Sequence, residues 1–481
     1  MPTTPTDVQV PSRLPVVPGV VLHGSYLLTD REPINRGDTL DAVVLPDHRL
    51  ALLVADVVGH GFAASMAATQ VRTVLRERLL AGAGLLGAVA ALDGYLRHMP
   101  DGCAVTLCAA VLDPVTGDLE FVAVGHHGPV VLSRDGGLWR ARTTPTAPLG
   151  VGEPPRPEVG LVRLAADELL LLYTDGLPPG EVDPGVVAAQ VVRHGSVAGR
   201  GDPASQLDSL CTQVLQEMMP PGGAADDAVL LAACRMPEPE ALTTNLPARH
   251  SSVASARQAL DHWLDEVGAG LLDHTGLVQA VDEVTTNVVD HAYGARSGDG
   301  GLELAARLDR TGQAVVTVTD HGLWPADAPL GFGLMMAAGL ADGFLVNRGR
   351  DGTTVELRHE LARPVGILQA IPEQARPVPL PDWDQELELE TRPGRVIVRG
   401  AVDDLSVDIF HAALHEASEA GNRPLTVDLR EVTRLASPGV QSLHEFRQRA
   451  RAAGEELVVL ADAASGVARV LAITAVPYVE A

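Results

Sequence analysis

The sequence predicts a multidomain α+β protein, and three observations predict it. The chain has 481 residues, too many for one ordinary core, since domains run to about 100–200 residues. Two proline-rich stretches lack any hydrophobic period: Met236–Leu246 (MPEPEALTTNL) and Pro364–Asp384 (PVGILQAIPEQARPVPLPDWD). They read as extended, solvated linkers. Each of the three pieces that they separate mixes strand-like apolar runs with stretches of helical period.

In the first piece, TLDAVVLPDHRLALLVADVV reads as a hairpin with β-branched and leucine-rich arms. Helical period follows over Ala63–Leu80 and Leu85–Met99. Strands are predicted at Ala104–Leu112, Leu119–Val124 and Leu169–Tyr173, then a helix at Ser205–Met218 and a strand at Ala228–Ala233. Strands with a few long helices make a β-sandwich flanked by helices. The middle piece reads helix, helix, strand, strand, helix, strand. The last alternates strand and helix, as in RVIVRG, DIFHAALHEASEA, PLTVDL and VQSLHEFRQRARA.

Composition narrows the function. Hydrophobic residues make up 46%, which suits a globular protein. The net charge of −26 argues against direct nucleic-acid binding and against attraction to anionic lipid. Lysine is absent, so every basic side chain other than histidine is an arginine. Cys103, Cys108, Cys211 and Cys234 form no C-x-x-C pair and are read as buried, reduced thiols. Proline and aspartate near the amino terminus replace the basic and apolar parts of a signal peptide. No run of about 18 apolar residues is present. The expectation is a cytoplasmic protein.

Four aspartates in the first piece sit at strand ends or in glycine-flanked turns. They are Asp38 (NRGDTLD), Asp56 (VADVVGHG), Asp175 (LLYTDGL) and Asp226 (AADDAVLLA). Any one alone is a turn residue. Four together repel unless cations neutralise them. All-oxygen ligands without cysteine favour Mg²⁺ or Mn²⁺ over zinc. Two such ions can share a water, lower its pKa and aim it at a phosphoryl group.

In order, these boxes resemble the PPM-type serine/threonine phosphatases of the stage II sporulation branch, over roughly Val20–Arg235, with the domain expected at 15–235. VAVGHHGPVVL and APLGVG are similar to that family's central strand pair and glycine loop. The resemblance implies a metal-dependent hydrolase of phosphoserine proteins with two Mn²⁺ or Mg²⁺ ions. It implies that Asp56 bridges both metals, that Asp38 holds one, directly or through water, and that Asp175 and Asp226 hold the other, with the Val57 carbonyl contributing. The chain departs at Arg36, where the family has the first glycine of its first box.

The middle piece has no Walker-type loop. LVQAVDEVTTNVVDHAY places Glu283 and Asn287 on one helix face. An asparagine oxygen can ligate Mg²⁺, and a neighbouring glutamate can orient or deprotonate a hydroxyl. VTVTDHG ends a strand in Asp320 and Gly322, where a carboxylate can accept from an adenine amino group. GFGLMMAAGLAD puts Gly331 and Gly333 at a helix start, which favours phosphate, and DGTTVEL with Gly352 returns as a strand. This order resembles the GHKL ATPase α/β sandwich, specifically the anti-sigma-factor serine kinases, over 246–361. The resemblance implies ATP with Mg²⁺, with Glu283 and Asn287 as the N-box pair and Asp320 and Gly322 as the adenine box.

In the last piece, Ser437 precedes Pro438, a pattern that predicts Ser437 as helix N-cap and Pro438 as the first helical residue. The segment 386–481 resembles STAS α/β domains, the anti-sigma-factor antagonists. Their loop reads Asp-Ser-Ser-Gly with the first serine phosphorylated. Here it reads Ala436-Ser437-Pro438-Gly439. Ser437 therefore matches the phosphosite, with its neighbours changed.

Together the resemblances imply a partner-switching regulator of a sigma factor. Phosphatase, kinase and antagonist would share one chain, and the partner would be a sigma factor or a separate antagonist protein. The alternative is an active phosphatase acting on a separate antagonist, with the ATPase and STAS modules as a non-catalytic docking scaffold.

Overall fold

Leu50–Val57 (LALLVADV) carries apolar side chains on both faces, which forces it between two packed layers. In the computed structural model that is where it lies. The structure describes residues 13–28, 37–59, 62–99, 103–174, 184–193, 203–218, 227–293, 300–322, 331–349, 351–369, 387–403, 406–463 and 465–480.

A five-stranded antiparallel sheet runs in the order Thr39–Val44, Leu50–Val57, Val105–Leu112, Asp118–Val124, Gly160–Arg163. Helices α1 (Phe62–Leu80) and α2 (Leu85–Leu96) bury Val71, Leu75 and Leu92 on one face of it, against Leu53 and Val57. The other face, with Leu50, Leu52 and Val54, meets a second sheet at Leu22, Leu170 and Leu231. This sheet has the order Gly366–Gln369, Val20–Leu28, Ala228–Arg235, Leu169–Tyr173, Val130–Leu132, Leu138–Arg140. Its outer face is covered by α3 (Pro184–Arg193) and α4 (Pro203–Met218). The result is a helix-flanked β-sandwich. Period alone did not pick out α3.

The second unit is an antiparallel sheet in the order Leu242–Pro247, Gly301–Leu308, Gln313–Asp320, Gly352–Glu360, Gly343–Gly349. Helices α5 (Ser251–Val267), α6 (Leu271–Asn287) and α7 (Phe332–Leu340) pack with it in one apolar core. After Asn287 the helix widens into a π turn, Val288–Ala292. Such turns are rare and cluster at functional sites. The third unit runs Glu388–Arg392, Arg395–Val402, Leu425–Leu435, Leu457–Ala461, Val479–Glu480, parallel after the first antiparallel pair. Its helices are α8 (Val407–Ala417), α9 (Ser437–Ala453) and α10 (Gly466–Ile473).

Three expectations need correction. Met236–Leu246 is not wholly linker: Leu242–Pro247 pairs with Gly301–Leu308 as an edge strand. Its residues alternate half-buried and exposed, so the weak apolar signal is that of a one-sided edge. Pro364–Asp384 is not wholly linker either. Gly366–Gln369 joins Val20–Leu28 in parallel, and Ala362–Pro364 pairs with Arg13–Pro15. Backbone pairing, which needs no apolar period, holds both. Residues 370–386 lie outside the described set. Finally, Ala436, extended at φ −79° and ψ 167°, is the N-cap of α9, and Ser437 is the first helical residue. The Ser437 hydroxyl is engaged by another domain and leaves the cap unmade.

The four cysteines are free. Cys103, Cys108 and Cys211 are buried, whereas Cys234 is only half-buried. Burial pushes the Cys108 thiol up to about 12. No helix among the described residues is long and apolar enough to cross a membrane.

Candidate functional site

The hairpin register brings the first two aspartates together. Thr39 pairs with Ala55, so Asp38, just before its strand, lies beside Asp56, next to the end of the adjacent strand. The Val57 amide donates to the Gly37 carbonyl at 3.2 Å. A Cβ on Gly37 would lie 2.2 Å from the Val57 oxygen and 3.1 Å from Asp56 Oδ1, so the approach requires glycine.

The opposite sheet contributes Thr174, fully buried. Its hydroxyl donates to Asp38 Oδ2 at 2.9 Å and accepts the Val229 amide at 3.0 Å. Its own amide donates to the Val229 carbonyl. Thr174 thus ties Asp38 to the strand ends that lead to Asp175 and Asp226. Those two aspartates, and Arg36, lie outside the described residues. The donors in place are hard oxygens across a glycine-narrowed gap, a set that fits Mg²⁺ or Mn²⁺. Sequence reasoning did not single out Thr174, whose only signal is its position before Asp-Gly.

In the second unit α6 presents Glu283 and Asn287 one turn apart. The Asn287 amide donates back to the Glu283 carbonyl at 2.9 Å. Helix α7 begins beside them, with Gly331 as its extended N-cap. A Cβ on Gly333 would lie 2.5 Å from Glu283 Oε2 and 3.1 Å from Asn287 Nδ2, so this helix start can approach the pair only with glycine.

Asp320, 1% exposed, closes its strand, and its Oδ1 accepts the Gly322 amide at 2.8 Å. Gly352 has φ +131°, and a Cβ there would lie 1.8 Å from the Asp320 backbone carbonyl oxygen. A narrow cleft, with room of about 10 Å³, lies among Val284, Asn287, Asp320, Leu334, Arg348 and Thr353. Its lining joins apolar side chains to one buried carboxylate and an asparagine beside the glycine start of α7, donor and acceptor types that match a nucleotide, although the cleft as it stands is too narrow to hold one.

The third expected site meets the second. Ser437 Oγ donates to Glu283 Oε2 at 2.9 Å, and the Ser437 amide donates to Glu283 Oε1 at 2.9 Å. Glu283 is 6% exposed, so this contact lies inside an interface. One contiguous apolar cluster, including Leu277 and Val281 with Val440 and Leu471, continues across it. A Cβ on Gly339 would lie 2.3 Å from Ile473 Cγ2, which measures how closely α7 and α10 pack.

These features define a chain of three modules: an oxygen-lined hydrolase sandwich, a nucleotide-type α/β sandwich, and a serine-bearing domain docked on the latter. The family model described as Stage II sporulation protein E matches residues 46–236, the histidine kinase-like ATPase domain matches 246–359, and the Mlab STAS domain matches 386–476. The crystal structure of the RsbU and RsbW domains of Rv1364c from Mycobacterium tuberculosis is 30% identical, with a TM-score of 0.65, and the match covers 76% of this chain and 99% of that one. The chain belongs to the family that joins RsbU and RsbW domains in one polypeptide. It is also similar to the phosphoserine phosphatase RsbP of Bacillus subtilis (strain 168), 24% identical over 168 residues. That match covers 34% of this chain and 41% of the relative, so the chain spans less than half of that curated protein.

Proposed function

We propose that this chain is a partner-switching regulator of a sigma factor, acting in the cytoplasm, in which a metal-dependent serine phosphatase, an ATP-dependent serine kinase and the kinase's substrate share one polypeptide. The observation that carries the reading is the Ser437 hydroxyl held at 2.9 Å from the Glu283 carboxylate. A serine that only capped a helix would turn its oxygen to its own backbone amides. A scaffold could use the carboxylate as a cap for the Ser437 amide; the kinase reading is favoured because the hydroxyl is presented to it as well.

In the kinase direction, Glu283 takes the proton of Ser437 Oγ as that oxygen bonds to the γ-phosphorus of ATP, and the bond to the β-γ bridging oxygen breaks, releasing ADP. Asp320 receives the adenine amino group, and Asn287 is the ligand for the Mg²⁺ that accompanies the nucleotide. The glycines at 331 and 333 open the start of α7 to the phosphates. In the phosphatase direction, Asp38, Asp56, the Val57 carbonyl, Asp175 and Asp226 hold two Mn²⁺ or Mg²⁺ ions. When bound, the ions supply a water of lowered pKa and neutralise charge on the phosphoryl oxygens. Thr174 fixes the rotamer of Asp38 by its hydrogen bond. The substrate is a phosphoserine protein, and the partner is a sigma factor or an antagonist protein that takes the ATPase face.

The test is mass spectrometry of the full chain carrying Asp56→Asn, incubated with ATP and Mg²⁺. Phosphate at Ser437 is the expected result. Its absence in a protein that binds ATP overturns the internal kinase reaction and leaves the phosphatase acting on a separate protein.

A further inference from the structure

The ATPase and STAS domains also meet through charges. Asp282, next to Glu283, is buried, and so is Arg434, three residues before Ser437. Arg434 Nη1 lies 2.5 Å from Asp282 Oδ2, with side-chain exposures of 5% and 7%. On the ATPase side, Arg257 Nε donates to both Asp282 oxygens at 3.0 and 3.3 Å. On the STAS side, Arg434 Nη2 donates to the Asp403 carboxylate. The charges alternate across the junction as Arg257, Asp282, Arg434, Asp403. Before docking, each domain holds a neutral pair. Docking joins the two pairs head to tail, so each buried charge keeps an opposite partner, while burial still holds the Asp282 carboxyl above its usual range.

The spacing gives the pair a purpose. Arg434 lies at the end of the strand that feeds α9, and Asp282 sits one residue before Glu283. Fixing Arg434 to Asp282 therefore sets the depth at which Ser437 enters. Backbone support comes from Gln279, whose side-chain amide donates to the Leu435 carbonyl. The loop also lacks the acidic residue expected at position 436, where Ala436 stands. Its charged anchor is the arginine two residues earlier.

We propose that Arg434 is a positioning and specificity-determining residue, through which the ATPase domain selects the STAS domain of its own chain by reading it with Asp282. This rests on the kinase reading above. A STAS surface without an arginine at this place would bury the Arg257–Asp282 pair with acceptor capacity unmet, and would be disfavoured.

The test uses the full chain with Asp56→Asn and two readouts. Without nucleotide, hydrogen exchange is followed at Ser437–Val440 and, as a folding control, at Leu425–Leu429. With ATP, phosphate at Ser437 is followed. R434M and D282N are each expected to speed exchange at Ser437–Val440 tenfold or more with the control strand unchanged. Each is also expected to lower the rate of Ser437 phosphorylation tenfold or more, with ATP affinity within twofold of the parent. The double variant is expected to lose no more than the worse single variant, because both remove one interaction. R434K is expected to recover part of the protection. Exchange within twofold of the parent in R434M, or losses that multiply in the double variant, overturns the proposal. If R434M also unprotects Leu425–Leu429, D282N, which leaves the STAS sequence intact, decides by the same criteria. Hydrogen exchange needs no chemistry, so a parent chain that takes no phosphate defeats the kinase reading while exchange alone judges the recognition pair.

Discussion

Glu283 closes the first turn of α9 with both carboxylate oxygens, one accepting the Ser437 hydroxyl and the other the Ser437 amide, each at 2.9 Å. The side chain expected to cap this helix is the one being held. A carboxylate from another domain takes over the free amide, where the helix dipole also favours negative charge. Glu283→Gln offers an amide instead and cannot take a proton. In the Asp56→Asn chain it is expected to lower Ser437 phosphorylation at least about a hundredfold, within the range for a lost general base. ATP affinity should change less than about fivefold, because Asn287 and Asp320 remain. Quantitative mass spectrometry and calorimetry check the two halves.

Phosphatase activity is expected to require added Mn²⁺ or Mg²⁺ and to vanish with EDTA. Asp56→Asn and Asp38→Asn should each cut phosphoserine peptide hydrolysis by about two orders of magnitude or more, on the scale of lost metal-assisted stabilisation. Thr174→Val, which keeps shape but frees Asp38, should cost less, about tenfold, as expected for a residue that orients a ligand. Full activity of Asp56→Asn in EDTA would remove the two-metal assignment.

The buried carboxylate at Asp320 and the amide at Asn287 should separate under mutation. Asp320→Ala is expected to reduce the preference for ATP over GTP, since the adenine amino group loses its acceptor. Asn287→Ala is expected to weaken both nucleotides alike and to blunt the Mg²⁺ dependence. Competition titrations with the two nucleotides, with and without Mg²⁺, check this.

Acid should loosen the junction between the first two units. Asp273 is 1% exposed at the start of α6. It receives Arg13 at 2.5 Å, the Ala362 amide at 2.9 Å and His359 at 3.2 Å. Burial raises its pKa, but bonds from His359, Arg13 and Ala362 outweigh burial and hold the carboxyl below its usual value. A depressed carboxylate contributes stability above its unfolded pKa of about 3.9, and that contribution is lost as pH falls through the folded value. Thermal stability should therefore drop more steeply below about pH 4 in the parent than in Asp273→Asn. Melting curves across pH 2.5 to 6 test it, and parallel curves would exclude the contribution.

The sequence displayed the three modules because their signals are local. Leucine-rich strand runs, helical period and glycines beside carboxylates are all read within a few residues, and Gly37, Gly333 and Gly352 stand where a Cβ cannot. What escaped was what only distance creates. Thr174 meets Asp38 across 136 positions, and Arg434 meets Asp282 across 152. Gly366–Gln369 pairs through its backbone, which leaves no trace in side-chain pattern. The Ser-Pro pattern puts Ser437 one position ahead of where it stands, and its oxygen answers to Glu283, 154 residues away.

The strand Gly366–Gln369 has a consequence for the order in which the chain matures. It completes the edge of a sheet whose neighbouring strand, Val20–Leu28, was made some 340 residues earlier. The sheet can form once Ala228–Arg235 is made, and at ribosomal rates of about 5–20 residues per second its edge then waits on the order of ten seconds while the ATPase module emerges. An open edge invites foreign strands for as long as it stays open. The phosphatase sheet is therefore sealed only after the ATPase module has been synthesised. A fragment ending at residue 235 never receives the seal, and it should be more prone to aggregate than one extending through residue 369.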